Sequence, residues 1–376
     1  MNRSVFTKIL EYAFLFAYFL LTAYSFSGHI QFIHTIVGYG NYIALGLFFF
    51  LILLKFSNYT GKEILILFAL LFIGMIVGYQ SKDYLFIKIA LVLGASKGIE
   101  FRKCIKYDCI FRIILIIFVM TLCRLGYAND VISYNENTIR HSLGFTNPNT
   151  LGMHLMILAM DIIYLSKKRV SFINLLISFV LCLVSAYFSG SKTITIILLL
   201  MIVLFTIYKI WPRLIEKKII KQSITYMPFI LSLVVVIVMA FYMNGKAFEL
   251  NDLLSNRLYN IAFYKEKYGL SIFGKYLGDL HVTLDTFYAY LLYRLGIISF
   301  LLYTFAFIYL FKMLYKKKNY DLIIIMLCFL IYGLSERIWM YIDYNIFILS
   351  FGFIIFNDNS IRTSIKMKNN NYTNEC

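Results

Sequence analysis

The chain has 376 residues, 61% hydrophobic and 15% charged, with 36 Lys and Arg against 19 Asp and Glu. A mean hydropathy of +0.77 excludes a soluble globular domain, because apolar runs of bilayer-crossing length recur from end to end. The six cysteines lie in apolar helices or on the cytoplasmic side, and Cys104 and Cys109 have no partner pair, which excludes an external disulfide framework and disfavours a zinc site.

The length criterion gives about twelve spans: near 9–26, 37–54, 64–79, 84–97, 110–127, 149–165, 171–188, 193–210, 224–243, 286–311, 321–335 and 340–356. The fold class expected is therefore an all-α integral membrane protein. A membrane domain covers 1–357, with a long external loop at 244–285 between spans nine and ten. A polar cytoplasmic tail follows at 358–376, of a composition that predicts disorder. The fourth span is short and carries Lys88. The first begins too near the N-terminus, and is too aromatic, to read as a removable signal peptide. Taken alternately, one set of loops holds 24 of the 36 basic residues, from Arg3 and Lys8 through Arg112 to Arg362, Lys366 and Lys368. The other set holds nine, nearly balanced by acids. Lys and Arg accumulate on the cytoplasmic side, so both termini are placed in the cytoplasm. The net charge of +17 thus serves topology, and no nucleic acid is expected as a partner. The chain has no Walker sequence, GxGxxG or HExxH, which disfavours ATP-driven, nucleotide-binding and zinc-protease chemistry.

This orientation gathers four polar clusters on the external face. The first is R-H-S-L-G-F-T-N-P-N-T-L-G, 140–152. Asn147 is a natural N-cap and Pro148 suits the first helical position, so a helix is expected to start there. Its positive end would face Arg140 and His141, the design of an anion site. The second is S-G-S-K-T, 189–193. Gly190 there can end one helix in a left-handed cap and Ser191 can begin the next. A basic residue such as Lys192 in a first turn opposes the helix dipole unless an anion is near; a short hairpin that needs Gly and Ser is the plainer explanation. The third is the loop 244–285, of 42 residues, far longer than ordinary helix connections and so expected to be functional. It holds Arg257, G-K-Y-L-G at 274–278, His281 and Asp285, and five basic residues against five acidic. That balance, with its Tyr and Gly, suits carbohydrate or lipid headgroups better than a polyanion. The fourth is S-E-R-I-W-M-Y-I-D-Y-N, 335–345, where Glu336 and Arg337 could equally be a plain ion pair in a turn.

Two ionisable residues fall within spans, where insertion costs about 2.5–3.5 kcal/mol and such groups face the bundle interior or water. On a continuous helix Arg294 would sit about 13–14 Å below Asp285, at the floor of an outward cavity. Asp161, near the cytoplasmic end, would balance Lys167 and Lys168.

The segment 140–152 resembles the R-x-S-G-F-x-H-P-N-x-L-G signature of the O-antigen polymerase and ligase superfamily, with Asn147 where His is usual. S-G-S-K-T is similar to the family's S-x-S-R-T/G hairpin, with Lys192 at the basic position. D-T-F-Y-A-Y-L-L-Y-R-L-G-I-I, 285–298, resembles its H/D-N-x-Y-L-x-L-L-x-x-x-G-I-I pattern, with Thr286 in place of Asn. The likeness is closest to the Wzy-type polymerases of bacterial capsular polysaccharides and exopolysaccharides, and covers about 60–355 in order and spacing.

What the resemblance implies is a multi-pass enzyme of the bacterial cytoplasmic membrane with its active site on the external face. It would be an inverting, metal-independent glycosyltransferase that uses no cofactor. Its substrate would be an undecaprenyl-diphosphate-linked oligosaccharide repeat unit, with the growing chain as donor and a new unit as acceptor. Membrane lipids and a chain-length-regulating co-polymerase are the expected partners. Departure of a diphosphate needs positive charge, assigned to Arg257, Arg140, Lys192 and Arg294. Asp285 is expected as general base, with His281 second. His141, Asn147, Asn149, Tyr288, Glu336 and Arg337 would contact substrate, and Tyr259 and Tyr276 could stack on sugars. A ligase passing finished glycan to another acceptor shares this architecture, and a transporter of the same lipid-linked sugars is the rival of a different class. Against the transporter stands the absence of evident repeat symmetry.

Overall fold

The protein is described from a computed structural model over residues 3–27, 31–135, 138–166, 170–244, 249, 251, 254, 256–278 and 284–356. The helices are α1 Arg3–Ser27, α2 Gln31–Leu54, α3 Gly61–Ser81, α4 Leu85–Ala95, α5 Phe101–Arg124 and α6 Pro148–Tyr164. They continue with α7 Phe172–Phe188, α8 Lys192–Ile210, α9 Lys218–Met243, α10 Arg257–Tyr268, α11 Ile297–Lys316 and α12 Tyr320–Tyr332. Six helices among the described residues are long and apolar enough to cross a membrane: Val5–Ser27, His34–Leu54, Gly61–Ser81, Lys192–Ile210, Lys218–Met243 and Ile297–Lys316. Large apolar side chains stand exposed along α3 and α7, among them Leu65, Phe68, Phe172 and Ile173, a surface that suits lipid and not water. These are the features of a multi-pass helical membrane protein.

The chain divides into two compact units. The first comprises Met1–Thr60, Leu91–Pro212 and Ile342–Cys376. Here α1 packs on α2 and α5, and α6 packs on α5, α7 and α8. Nearly every side chain of α6 is buried, as expected of a helix that is apolar all round and sits at the centre of a bundle. A ring stack holds its N-terminal half: His154 lies 3.8 Å from Phe26 and 5.5 Å from Tyr344, centroid to centroid. Lys55, at the end of α2, donates to the carbonyls of Ala95 and Lys97 at 2.7 and 2.9 Å, so it satisfies the end of α4.

The second unit comprises Gly61–Ala90 and Arg213–Tyr341. α9 packs on α10, α11 and α12, and α12 is buried almost throughout. Trp339 closes its core against Phe287, Phe307 and Phe329, at 4.8, 5.7 and 5.4 Å.

Four expectations change. The chain is not all-α: the segment before α6 forms an antiparallel hairpin, β1 Ile132–Asn135 with β2 Thr138–His141, pairing Ser133 with Arg140 and Ile132 with His141. The tenth span is not one helix. A turn at Phe287–Ala289 runs into a π-helical turn at Tyr290–Arg294, and Gly296, at φ +90°, separates both from α11. The cause is a close backbone approach: residues 271–275 of the long loop lie in the break. A Cβ on Gly296 would stand 2.2 Å from the nitrogen of Gly274, and one on Gly274 would stand 2.6 Å from the carbonyl oxygen of Arg294. Backbone hydrogen bonds from Lys275 to Arg294, Ile297 to Ser271 and Ile298 to Ile272, at 3.0, 3.0 and 3.1 Å, satisfy the freed groups. Third, the last span is 3₁₀-helical at Ile346–Phe351, with only Gly352–Ile355 α-helical. Asn345 accepts from the Phe347 amide, the local side-chain bonding that competes with helix. Fourth, Arg112 and Asp161 are fully buried together: Arg112 lies within α5 and belongs to no loop, and Asp161 faces it. Lys167, Lys168 and the 358–376 tail lie outside the described residues.

Candidate functional site

In the first unit the expected helix start is present. Asn147 is extended, and its side chain accepts from the Thr150 amide at 2.9 Å, with Pro148 at the first helical position. The hairpin delivers Arg140 to this start. Its Nε donates to the Ser189 carbonyl at 2.7 Å, and its Nη2 donates to the Asn149 side chain. Arg140 thus ties three segments together: the hairpin, the first turn of α6 and the α7–α8 connection. Gly190 makes room for it. It sits at φ +55°, and a Cβ there would come 2.8 Å from the Arg140 Cγ. Gly190 ends α7 in the left-handed conformation as expected, but Ser191 makes no side-chain cap bond. Ser189 accepts from the Ser191 amide instead, at 3.3 Å. Lys192 is the exposed first residue of α8.

His141 is oriented by Asp130, a residue the sequence reading passed over. The Nδ1 of His141 donates to the Asp130 carboxylate at 2.6 Å, and the same carboxylate accepts from the Leu143 amide at 2.8 Å. Partial burial acts to raise the pKa of Asp130. The hydrogen bonds from His141 and from the Leu143 amide outweigh it and hold the group below the usual carboxylate value.

In the second unit the 244–285 loop and the turn after α12 meet. Arg257 opens α10 behind Asn256, which is in the left-handed region at φ +61°. Its guanidinium donates to the Ser335 and Leu254 carbonyls at 2.9 and 3.1 Å, and to Glu336 at 3.1 Å. Glu336 is buried, and burial pushes its pKa up to about 7; the positive charge of Arg257 opposes the rise and the negative charge of Asp285 adds to it. Asp285 therefore lies within electrostatic reach of the pair, and of Arg337 as well. The Arg337 guanidinium lies over the Tyr290 ring at 4.3 Å. Tyr290 donates to Asp83 and accepts from Tyr341 at 3.2 Å. Asp83, Tyr290 and Tyr341 carry no sequence signal that marks them together; only the fold joins them.

Two residues stand elsewhere than expected. Tyr288 is buried, and donates to the Leu330 carbonyl at 3.0 Å, so it ties the Phe287–Ala289 turn to α12. Arg294, on the π-helical turn, lies over the Tyr276 ring at 5.2 Å; it meets the long loop, and no continuous helix runs from Asp285 to it. Tyr259 and Tyr276 are half-exposed. His281 lies outside the described residues. No group of three or more His, Cys, Asp or Glu that could hold a metal occurs among the described residues.

Chemically, the second-unit cluster offers a guanidinium held by a carboxylate of nearly neutral affinity for protons, a second carboxylate beside it, and a stacked second guanidinium. That set can hold an anion, if the anion replaces Glu336 on Arg257, and can accept a proton. No protein-family model, curated protein or solved structure matches the chain.

Proposed function

We propose that the protein is a polysaccharide polymerase of the Wzy type, with about twelve spans by the length criterion, both termini in the cytoplasm and its polar clusters facing outward. It transfers a growing undecaprenyl-diphosphate-linked glycan onto a new lipid-linked repeat unit at the outer leaflet of the bacterial cytoplasmic membrane. The observation that carries the reading is the gathering of Arg257, Asp285, Glu336 and Arg337 in the second unit. These residues come from the long loop and from the family-like 285–298 segment and its neighbour, in the expected order.

The step is a displacement at the anomeric carbon of the donor chain. The acceptor hydroxyl forms the new C–O bond, and the bond to the diphosphate breaks with its electron pair leaving on the phosphate oxygen. The hydroxyl proton goes to Asp285. Arg257 stabilises the departing diphosphate, as a guanidinium matches two phosphate oxygens at once. Arg140, with the N-terminus of α6 behind it, is the corresponding anion-facing group of the first unit. A co-polymerase that sets chain length is a partner of this reading.

Loss of Arg257 should slow transfer at least about a hundredfold, the usual cost of one transition-state donor. Loss of the base in Asp285→Ala should slow it by roughly a hundredfold or more. The measurement is release of undecaprenyl diphosphate by purified variants given lipid-linked repeat units. Full activity in Asp285→Ala would remove that residue as base. The break at Gly296 favours the transport reading, since transporters use discontinuous helices at their sites. Transport would move the lipid-linked unit with no release of undecaprenyl diphosphate at all.

A further inference from the structure

Within the first unit, four ionisable side chains meet in the buried interior between α5 and α6. Arg112 and Asp108 are one helical turn apart on α5, with Nε to carboxylate 2.6 Å, and both side chains are fully buried. Arg112 also donates from Nη2 to the Tyr344 carbonyl at 2.6 Å. Its Nη1 lies 2.9 Å from the Nδ1 of His154. A guanidinium has only donors, so that ring nitrogen must be the acceptor, which makes His154 a neutral imidazole. Asp161, two turns further along α6, has its carboxylate 3.8 Å from the Arg112 Nε and is also fully buried.

The charges do not balance. One guanidinium faces two carboxylates, and His154 contributes no charge. Nor do the hydrogen bonds: as a carboxylate, Asp161 has no donor within reach of either oxygen. The group at hydrogen-bonding range is the carboxyl of Asp108. Two ionised carboxylates would present acceptor to acceptor with neither side chain exposed, an arrangement that burial and like-charge repulsion both disfavour. One proton between them removes the excess charge and supplies the missing donor together. The other groups facing the pair are the Tyr18 hydroxyl from α1 and the Cys109 thiol on α5. Neither carries a compensating positive charge. A metal ion is a poor fit, because Arg112 already occupies the cationic position beside both acids.

We propose that Asp108 and Asp161 form a proton-binding site, sharing a single proton beside Arg112, and that this site is independent of the outward-facing clusters. The shared proton leaves Arg112 free to hold the Tyr344 carbonyl, which ties the segment before Ile346–Phe351 to α5.

The test is infrared spectroscopy of the full-length protein in nanodiscs. Wild type should show the carbonyl stretch of a protonated carboxylic acid, shifted in D2O and absent from D161N. Spectra of E336Q, recorded alongside, remove any contribution from Glu336. D108N should lose the same band, since Arg112 then balances a single ionised Asp161. D161N should keep the wild-type thermal midpoint, because its amide supplies the same donor without charge. An unchanged carbonyl spectrum in D161N would overturn the proposal. So would a wild-type midpoint that rises with sodium while that of D161N does not, because the site would then take a metal cation. Should D161N fail to fold, D108N carries the same comparison alone.

Discussion

Arg257 and Arg140 were singled out as anion-binding groups, and both are engaged by their own protein: Arg257 by Glu336 and two carbonyls, Arg140 by Ser189 and Asn149. A ligand diphosphate must therefore compete with Glu336 for Arg257. Glu336 titrates at about 7 against an ordinary 4.5, raised chiefly by burial. A carboxyl with a raised folded-state pKa contributes stability that is complete below its unfolded pKa and is lost as pH rises through the folded one. The thermal midpoint should therefore fall between pH 4.5 and 7, and E336Q should flatten that fall; an equal slope in both proteins would mean Glu336 is not the titrating group. At Gly190 two costs combine: roughly 1–2 kcal/mol for a side chain in the left-handed region and the displacement of the Arg140 stem. Gly190→Ala should thus be destabilising. In an R140A background the steric part vanishes, and denaturation of the four proteins should show coupling between the two sites. Strict additivity would contradict the contact.

At the scale of elements, the start of α6 was legible because its signal is local: Asn147 before Pro148 specifies a cap and a first turn. Asn147→Ala should cost about 1 kcal/mol and Asn147→Ser much less, as read from thermal unfolding in detergent. The break in the tenth span was not legible, although Gly274 and Gly296 were both visible in the sequence. Arg294 apart, 286–311 reads as one apolar run, and what breaks the helix is the backbone of the preceding loop at 272–274. Gly296→Ala should cost more than about 4 kcal/mol and abolish a monodisperse peak on gel filtration. Gly46→Ala in α2, where a Cβ meets nothing within 4 Å, should stabilise by about 0.5–1 kcal/mol. The hairpin at 132–141 was hidden for a similar reason. It is short, and its fixing residue is Asp130, whose partners His141 and Leu143 lie beyond the turn. Asp161 was visible as an intramembrane charge, but its neighbours Asp108 and Arg112 come from α5 and reach it only when α5 and α6 pack. Asp108 and Arg112 at a four-residue spacing in an apolar helix were the signal available.

For the molecule as a whole, composition and charge alternation were enough for the class, because bilayer length and the bias of Lys and Arg act on long stretches and tolerate local irregularity. The orientation they imply is open to direct labelling. Tyr134 is 78% exposed, and Tyr134→Cys in intact cells should react with a membrane-impermeant maleimide. Protection there until the membrane is opened would reverse the topology. The central claim is the polymerisation itself. Purified protein in nanodiscs, given its lipid-linked repeat unit without nucleotide sugar or metal, should yield a gel ladder of glycans lengthening by one repeat per rung. A single band of unextended unit, with the substrate verified intact, would contradict it.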